Sequence, residues 1–523
     1  MPSPHPTLPT GRRTLLAGAG ASAATAGVLV AGGAEAAGGT YRPARYDGPP
    51  LLGARDRHLV SRFSYGITPA LAAEVRRVGG AGRWFERQLD AESEPDRDTR
   101  GLESWWASLA YGPNRLWNDN VSGVKPGWEV MADYQRWVLM RRMSSDRQVH
   151  EVMTAFWETH LHVPTNGDPN FPFRKDYGDL IQRHALGRFD RLLAEAATHP
   201  AMLVYLDQAV STKQHPNENL ARELLEIHTV GAGEYSEADV EAMARVLTGW
   251  RVDVYETWKV YYDKPSHAGG KVKVLGFTHE NKSHDGREVT REVLHYLARR
   301  PATARRIARR LAVKFVQDDP PAALVDRLAD VYLRHDTAIT PVLLALVGSS
   351  AFRRAAGSKV RDPSEDVVAT YRALDARVHR PHADDSAANA LLWQAAAIGA
   401  TPFSWPRPDG PPLDSGAWSS PSRLLGSLSF HYGMSGGWWP SVDVRHREPR
   451  ERVPRWGLRF DELVDHLCQE LLHERSTSQL LKACCEAVGC RPGERIDKEH
   501  AVVQWQMPRL LTTLLDSPSF FTR

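Results

Sequence analysis

Apolar positions return every three or four residues along most of the chain, which is the periodicity of amphipathic helix. Residues 51–92 give three short amphipathic stretches, broken by Gly66 and by Gly79-Gly80. Longer helices are expected over 128–143 and 148–161, with Ser144-Ser145-Asp146 between them as an N-capping cluster. Pro164 pushes Val163 into an extended conformation, so the second of these should stop near His160. Further helices fit 179–186, 189–198 and 201–207.

The stretch HPNENLARELLEIHTVG, residues 215–231, has Pro216 and Asn217 at its start and Gly231 past its end, predicting a helix over 216–230. Ser236-Glu237-Ala238-Asp239 then resembles a capping box that opens a helix ending at Gly249. After Trp250 the period falls to two: WRVDVYETWKVYYD and GGKVKVLGF alternate, predicting the two strands of a small β-hairpin over 250–279. Helices resume over 288–352. A part running from 356 to 523 opens with helical EDVVATYRALDARV and contains a Pro/Gly-rich, aromatic-bearing loop at 401–422. The expected class is mostly α: a multi-helix body (37–355) with a small β-hairpin, and a C-terminal helical subdomain (356–523) tied by disulfides.

Composition sharpens this. At 523 residues the chain is too long for one simple core. A net charge of +3, from 66 basic and 63 acidic residues without a dense basic cluster, carries no nucleic-acid signature. The arginines of ATARRIARR, 302–310, read as decoration of a helix face. At the N-terminus, Arg12-Arg13 precedes an Ala/Gly/Val/Leu run and then Ala34-Glu35-Ala36, the pattern of a twin-arginine signal peptide cleaved after residue 36. The mature chain is therefore expected in the cell envelope or outside the cell, exported folded, with no membrane span. In that setting Cys468, Cys484, Cys485 and Cys490 read as disulfides. The adjacent Cys484 and Cys485 would each pair with Cys468 or Cys490, and the C-C-x4-C spacing suits zinc less well.

HPNENLARELLEIHTVG followed by YSEADVEAMARVLTGW resembles the signature of a large bacterial family, domain of unknown function 1800. LVSRFSYGITPALAAEV, FWETHLHV, ARRPATARRIARRLAVKFVQDDPP and SRLLGSLSFHYG are similar to further segments of it. The resemblance implies an exported, largely helical protein, often encoded beside a companion with an alkaline-phosphatase-like fold, and it brings no established activity. Where the family has a His-Asp pair, this chain has His267-Ala268.

The candidate chemistry sits in the same stretch. On a regular helix Glu218, Arg222 and Glu226 form one acid–base–acid stripe, while Asn219 and Glu223 share another. Two readings are open. In the first, Glu223 or Glu226 acts as general base or ligand, Arg222 clamps an anionic group, and Asn217, Glu218 and Asn219 contribute ligand contacts. His160, His162 and His228 would then hold a divalent metal (zinc, iron or manganese) in an enzyme acting on an envelope or extracellular polymer. In the second, the charges form a structural network in a non-catalytic scaffold that binds glycan or the phosphatase-like companion. Standard metal motifs are absent. The Glu292/His295 and Glu470/His473 pairs match E-x-x-H at the rate chance supplies, and GMSGG at 433–437 reads as a glycine-rich turn rather than a nucleophile elbow. Trp105-Trp106 and Trp438-Trp439 are candidate sugar platforms or packing anchors.

Overall fold

The computed structural model describes residues 41–90, 96, 98–166 and 169–523. The twin-arginine segment lies outside the described residues. Within them the chain is mostly helical, with only short two-stranded antiparallel ribbons. No helix among the described residues is long and apolar enough to cross a membrane.

The helices at the heart of the molecule are Gly127–Ser144, Gln148–His160 and Arg174–His184. Two buried ion pairs fasten them. Arg141 donates through Nε and Nη2 to both oxygens of Glu151 at 3.1 and 2.9 Å. Arg174 reaches Glu158 at 2.5 Å, and the Tyr134 hydroxyl donates to the same carboxylate at 2.7 Å. Removing one partner of such a pair strands the other charge and costs roughly 3–5 kcal/mol, so these pairs fix how the helices sit. Around them one apolar core runs without interruption from Leu52 to Phe520.

The region after Trp250 corrects the expected hairpin. Each alternating stretch folds back on itself: Trp250–Val252 pairs with Val260–Tyr262, and Val272–Val274 pairs with Phe277–His279. A third ribbon joins Arg377–Val378 to Val444–Arg445. The capping box at Ser236 forms as expected, with Asp239 as its acidic partner. GMSGG lies at the end of the helix Pro421–Ser435 rather than between a strand and a helix.

The cysteines give a second correction. Cys468, Cys484, Cys485 and Cys490 are all free and buried. They serve as small apolar side chains packed in the core between Phe460–Leu471 and Ser478–Val488. Burial pushes the Cys490 and Cys485 thiols up to about 12, far from the thiolate range. The C-terminal region is held by packing, not by disulfides.

Candidate functional site

The signature segment departs from a regular helix where its chemistry is densest. Asn217 accepts the Asn219 N–H on its side-chain oxygen at 2.8 Å and starts an α-helix, Asn219–Glu223. Residues Leu224–His228 then form a π-helical turn, closed by Gly231 N–H donating to Leu225 O at 2.9 Å. A π turn inserts extra backbone per turn and rotates the residues beyond it, and such turns concentrate at functional sites. The expected acid–base–acid stripe is thereby split. Glu218 and Arg222 remain paired at 3.2 Å on the surface, and Arg222 donates two further bonds to Glu237 at 2.8 and 2.7 Å. Glu226 is swung away to accept from the Tyr235 hydroxyl at 2.5 Å. Asn219 donates to Asp207 at 2.9 Å. Arg222 is thus a satisfied, solvent-facing cation.

The π turn carries His228 inward to meet His160, and both are fully buried. His160 Nε2–H donates to His228 O at 3.1 Å, and His228 Nδ1–H donates to His160 O at 2.8 Å. The rings stand 5.9 Å apart and nearly perpendicular. This reciprocal bonding fixes both tautomers. It leaves lone pairs on His160 Nδ1 and His228 Nε2 that find no partner among the described residues. Burial, together with Arg306 and Arg310 close by, depresses both basicities: His160 falls well below its usual value and His228 to about 3. Both are neutral at physiological pH. His162 faces elsewhere, donating through Nε2 to Trp405 O at 2.7 Å.

Two lone pairs on carbonyl-oriented imidazoles are suitable metal ligands in principle. The described residues bring no third His, Cys or carboxylate donor to them; their one grouping of three such ligand atoms is Cys490, Glu494 and His500, on another face. There the His500 Nδ1 accepts from Val502 N–H, and Nε2 contacts Glu494 at 3.0 Å. Metal at that Nε2 would require a proton on the very Nδ1 that is accepting, so the local bonding opposes it.

The histidines instead adjoin cations. The helix Pro301–Phe315 lies beside the signature segment, and its Arg306 Nε donates to Ile227 O, inside the π turn, at 2.7 Å. Arg306 and Arg310 are four residues apart on one face. Arg305 and Arg309, on the adjacent line, are neutralised by Asp326 and Asp319 of the neighbouring helical turn and loop. Arg310 has no such partner: its Nε and Nη2 are buried with no acceptor among the described residues. Burial, then the charge of Arg306, lowers Arg310 to about 10, so it stays charged at neutral pH.

These arginines line a groove of about 790 Å³ between Pro301–Phe315, Val230-Gly231 and the segment Arg407–Asp414. The Pro/Gly-rich loop forms its far wall and is strapped down over the end of the Gln148–His160 helix. Its bonds are Thr165 N–H to Phe403 O at 2.9 Å, His162 to Trp405 O, and the Tyr205 hydroxyl to Pro406 O at 3.1 Å. At Gly410, φ is +70°, and a Cβ there would sit 2.2 Å from Thr159 O. Only glycine fits this approach. Asp409, in the same segment, pairs with Arg407 at 2.6 Å. Burial, then Glu226 and Asp409, raises the Glu223 carboxyl above the usual range. Glu223 is itself half-buried.

The site therefore keeps His160 with His228, and Glu223 near Glu226, as two separate pairs. It leaves Arg222, Glu218 and Asn219 on the solvent face and uses His162 to hold the loop. Arg306, Arg310 and Asp409 were not singled out by the sequence reading. The arginine doublets at 305–306 and 309–310 were the available signal, since two stripes on one helix seldom both lie in solvent.

A largely helical body with a π-helical signature segment set against an arginine-lined groove defines the class. The chain belongs to the family described as protein of unknown function, DUF1800, which matches residues 58–522. No curated protein and no solved structure matches it.

Proposed function

We propose that this is an exported protein that binds an acidic polymer chain in the groove beside the signature segment, with Arg306 and Arg310 as its anion-recognising groups. The observation that carries this reading is Arg310, a charged guanidinium with buried, unpartnered N–H groups in an open groove. An isolated buried guanidinium is costly, whereas a carboxylate, sulfate or phosphate laid against it forms charge-assisted bonds of the strong kind. A groove of about 790 Å³ open to solvent suits a chain rather than a small enclosed ligand. The twin-arginine pattern supports an envelope or extracellular setting, where such polymers occur. Two cations beside neutral His160 and His228 favour an anion over the divalent metal expected from the histidines.

The test is binding by calorimetry to polygalacturonate, dextran sulfate and polyphosphate, with neutral dextran as control. At least one acidic chain should bind with an affinity that falls steeply as salt rises. The Arg306→Gln/Arg310→Gln double variant should lose at least tenfold. Equal binding of neutral dextran, or an unaffected double variant, would overturn the reading.

Glu223 favours a catalytic extension of this function. Its carboxyl, raised above the ordinary value by burial, Glu226 and Asp409, can donate a proton to a leaving group as water attacks the bond that breaks. New reducing ends or new acid equivalents released from the bound polymer, lost in Glu223→Gln with binding retained, would support it. Binding without turnover leaves the protein a recognition module.

A further inference from the structure

A second cluster of buried cations lies far along the chain from the groove, where the helix Ala54–Arg62 meets the last residues. A cavity of about 360 Å³ is lined there by Arg57, His58, Arg361, Glu474 and Arg523. Arg361 and Arg523 are each only 5% exposed. Arg361 spends its Nε on Phe520 O at 2.9 Å, and Arg523 spends its Nη2 on Glu365 at 2.6 Å. Arg361 Nη1 and Arg523 Nε and Nη1 have no acceptor among the described residues. Arg62 stands behind them, wholly buried, with Nε and Nη1 in the same condition. The nearby carboxylates are already engaged. Glu365 also serves Lys314, and Asp366 serves Arg423, Ser427 and His431. Burial with mutual repulsion lowers Arg62 to about 9 and Arg361 to about 10.

The lining also has an acceptor side. His58 Nε2 donates to Phe352 O at 2.8 Å, so its Nδ1 is a lone pair, and that atom is buried without a partner among the described residues. Burial and Arg62 lower His58 to about 4, which keeps it neutral. Glu474, paired with Arg57 at 3.1 Å and accepting from the Ser519 hydroxyl at 3.2 Å, keeps further lone pairs on its carboxylate in the same lining. A fully deprotonated anion such as sulfate satisfies the arginines but offers nothing to a lone pair and a carboxylate. An oxyanion with a proton of its own satisfies both sides.

We propose that this cavity is a binding site for a hydrogen phosphate group, gripped by Arg361 and Arg523 and read for its proton by His58 Nδ1 and Glu474. Occupied, it joins the Ala54–Arg62 helix to the segment before Arg361, the end of Phe460–Leu471, and the terminal Pro518–Phe521 turn. A ligand would thus tie the first described helix to the last. The site is independent of the groove.

The experiment is thermal unfolding and calorimetry on the full chain after exhaustive dialysis, with inorganic phosphate, glycerol phosphate and sulfate added separately. Phosphate retained through dialysis is counted by molybdate assay on the denatured protein. Phosphate should raise the unfolding midpoint, or be retained at near one equivalent, and sulfate should bind at least tenfold more weakly. A matching response to glycerol phosphate identifies a monoester site; its absence identifies one for the free ion. Arg361→Gln should abolish the response, whereas Arg310→Gln in the groove should leave it intact. Ser61→Asp, which places a carboxylate in the cavity wall, should raise the midpoint without phosphate and remove the phosphate effect, so the proposal remains testable if Arg361→Gln fails to fold. Equal response to sulfate would overturn the role given to His58 and Glu474. No retained phosphate and no response in the unmodified protein, or a response unchanged by Ser61→Asp, would overturn the site.

Discussion

Replacing Arg310 by methionine should make the protein more stable. Methionine keeps most of the aliphatic length and fills space adaptably, so packing changes little. What is removed is a guanidinium whose Nε and Nη2 are buried with no acceptor among the described residues. Burial, then the charge of Arg306, lowers its basicity to about 10 in the folded state. At 1.36 kcal/mol per unit this corresponds to about 3 kcal/mol, and about 1–3 kcal/mol once partial solvent access is allowed for. The sign comes from linkage. A base whose folded value lies below its unfolded value carries the whole cost at any pH below the folded value, and so at pH 7. Urea unfolding of Arg310→Met in buffer without polyanions should therefore show a gain of about 1–3 kcal/mol, while stabilisation by an acidic polymer disappears. A loss of more than about 1 kcal/mol would refute the reasoning, because it would mean that Arg310 holds the fold together rather than waiting for a ligand.

Four further outcomes are expected. Gly410→Ala should lift the 401–422 loop, since a left-handed φ and the clash with Thr159 O together cost about 2–4 kcal/mol; protease cleavage confined to that loop, with the global midpoint little moved, would register it. Glu223→Gln should stabilise at pH 7–8 and not at pH 4, because a raised carboxyl costs stability only where it is ionised; equal effects at both pH values would contradict the half-buried acid. Arg222→Ala should cost less than about 1 kcal/mol by denaturant titration, its partners Glu218 and Glu237 being exposed; a larger loss would return it to the site. Protein denatured without reductant should titrate four thiols with Ellman's reagent, and two or none would restore the disulfides.

Much of the fold was legible because propensity, capping and period agreed. The expected helices at 128–143 and 148–161 are Gly127–Ser144 and Gln148–His160, the latter ending where Pro164 said it should. The expected helix at 189–198 is Phe189–Ala197. The π turn was not legible. It changes the angular register of Glu226 and His228 without altering any residue type, and periodicity over so short a segment cannot report one inserted residue. The free cysteines were missed for a different reason: an even count in an exported chain argues for disulfides only when packing leaves stability wanting. Here the Cys468 and Cys484 positions are core positions like the leucines around them.

The helix Pro421–Ser435 explains why the arginine sites in particular escaped a reading by pattern. Such a reading sends charged residues to solvent and apolar stripes to the core. In this helix Arg423, Ser427 and His431, at successive turns, are buried, while Leu424, Leu425, Leu428 and Tyr432 are exposed. The polar stripe solvates one buried carboxylate: Asp366 accepts from Arg423 at 3.2 Å, Ser427 at 2.7 Å and His431 at 3.1 Å. Asp366 and Asp516 outweigh the effect of burial and hold His431 up at about 9. Once Asp366 is buried on Pro363–Ala373, the helix packed against it turns its polar side inward, and hydrophobicity ceases to mark that helix's core face. Charged groups with buried atoms recur at Arg310 and at Arg361, with one difference that matters for function. At Asp366 the carboxylate itself is satisfied from within the chain, although Arg423 beside it keeps Nε and Nη1 without an acceptor among the described residues; the two arginine sites differ in that their unsatisfied donors belong to residues lining a cavity or groove. Paired buried charge is architecture; unpaired buried charge in a lined cavity is a claim on a ligand.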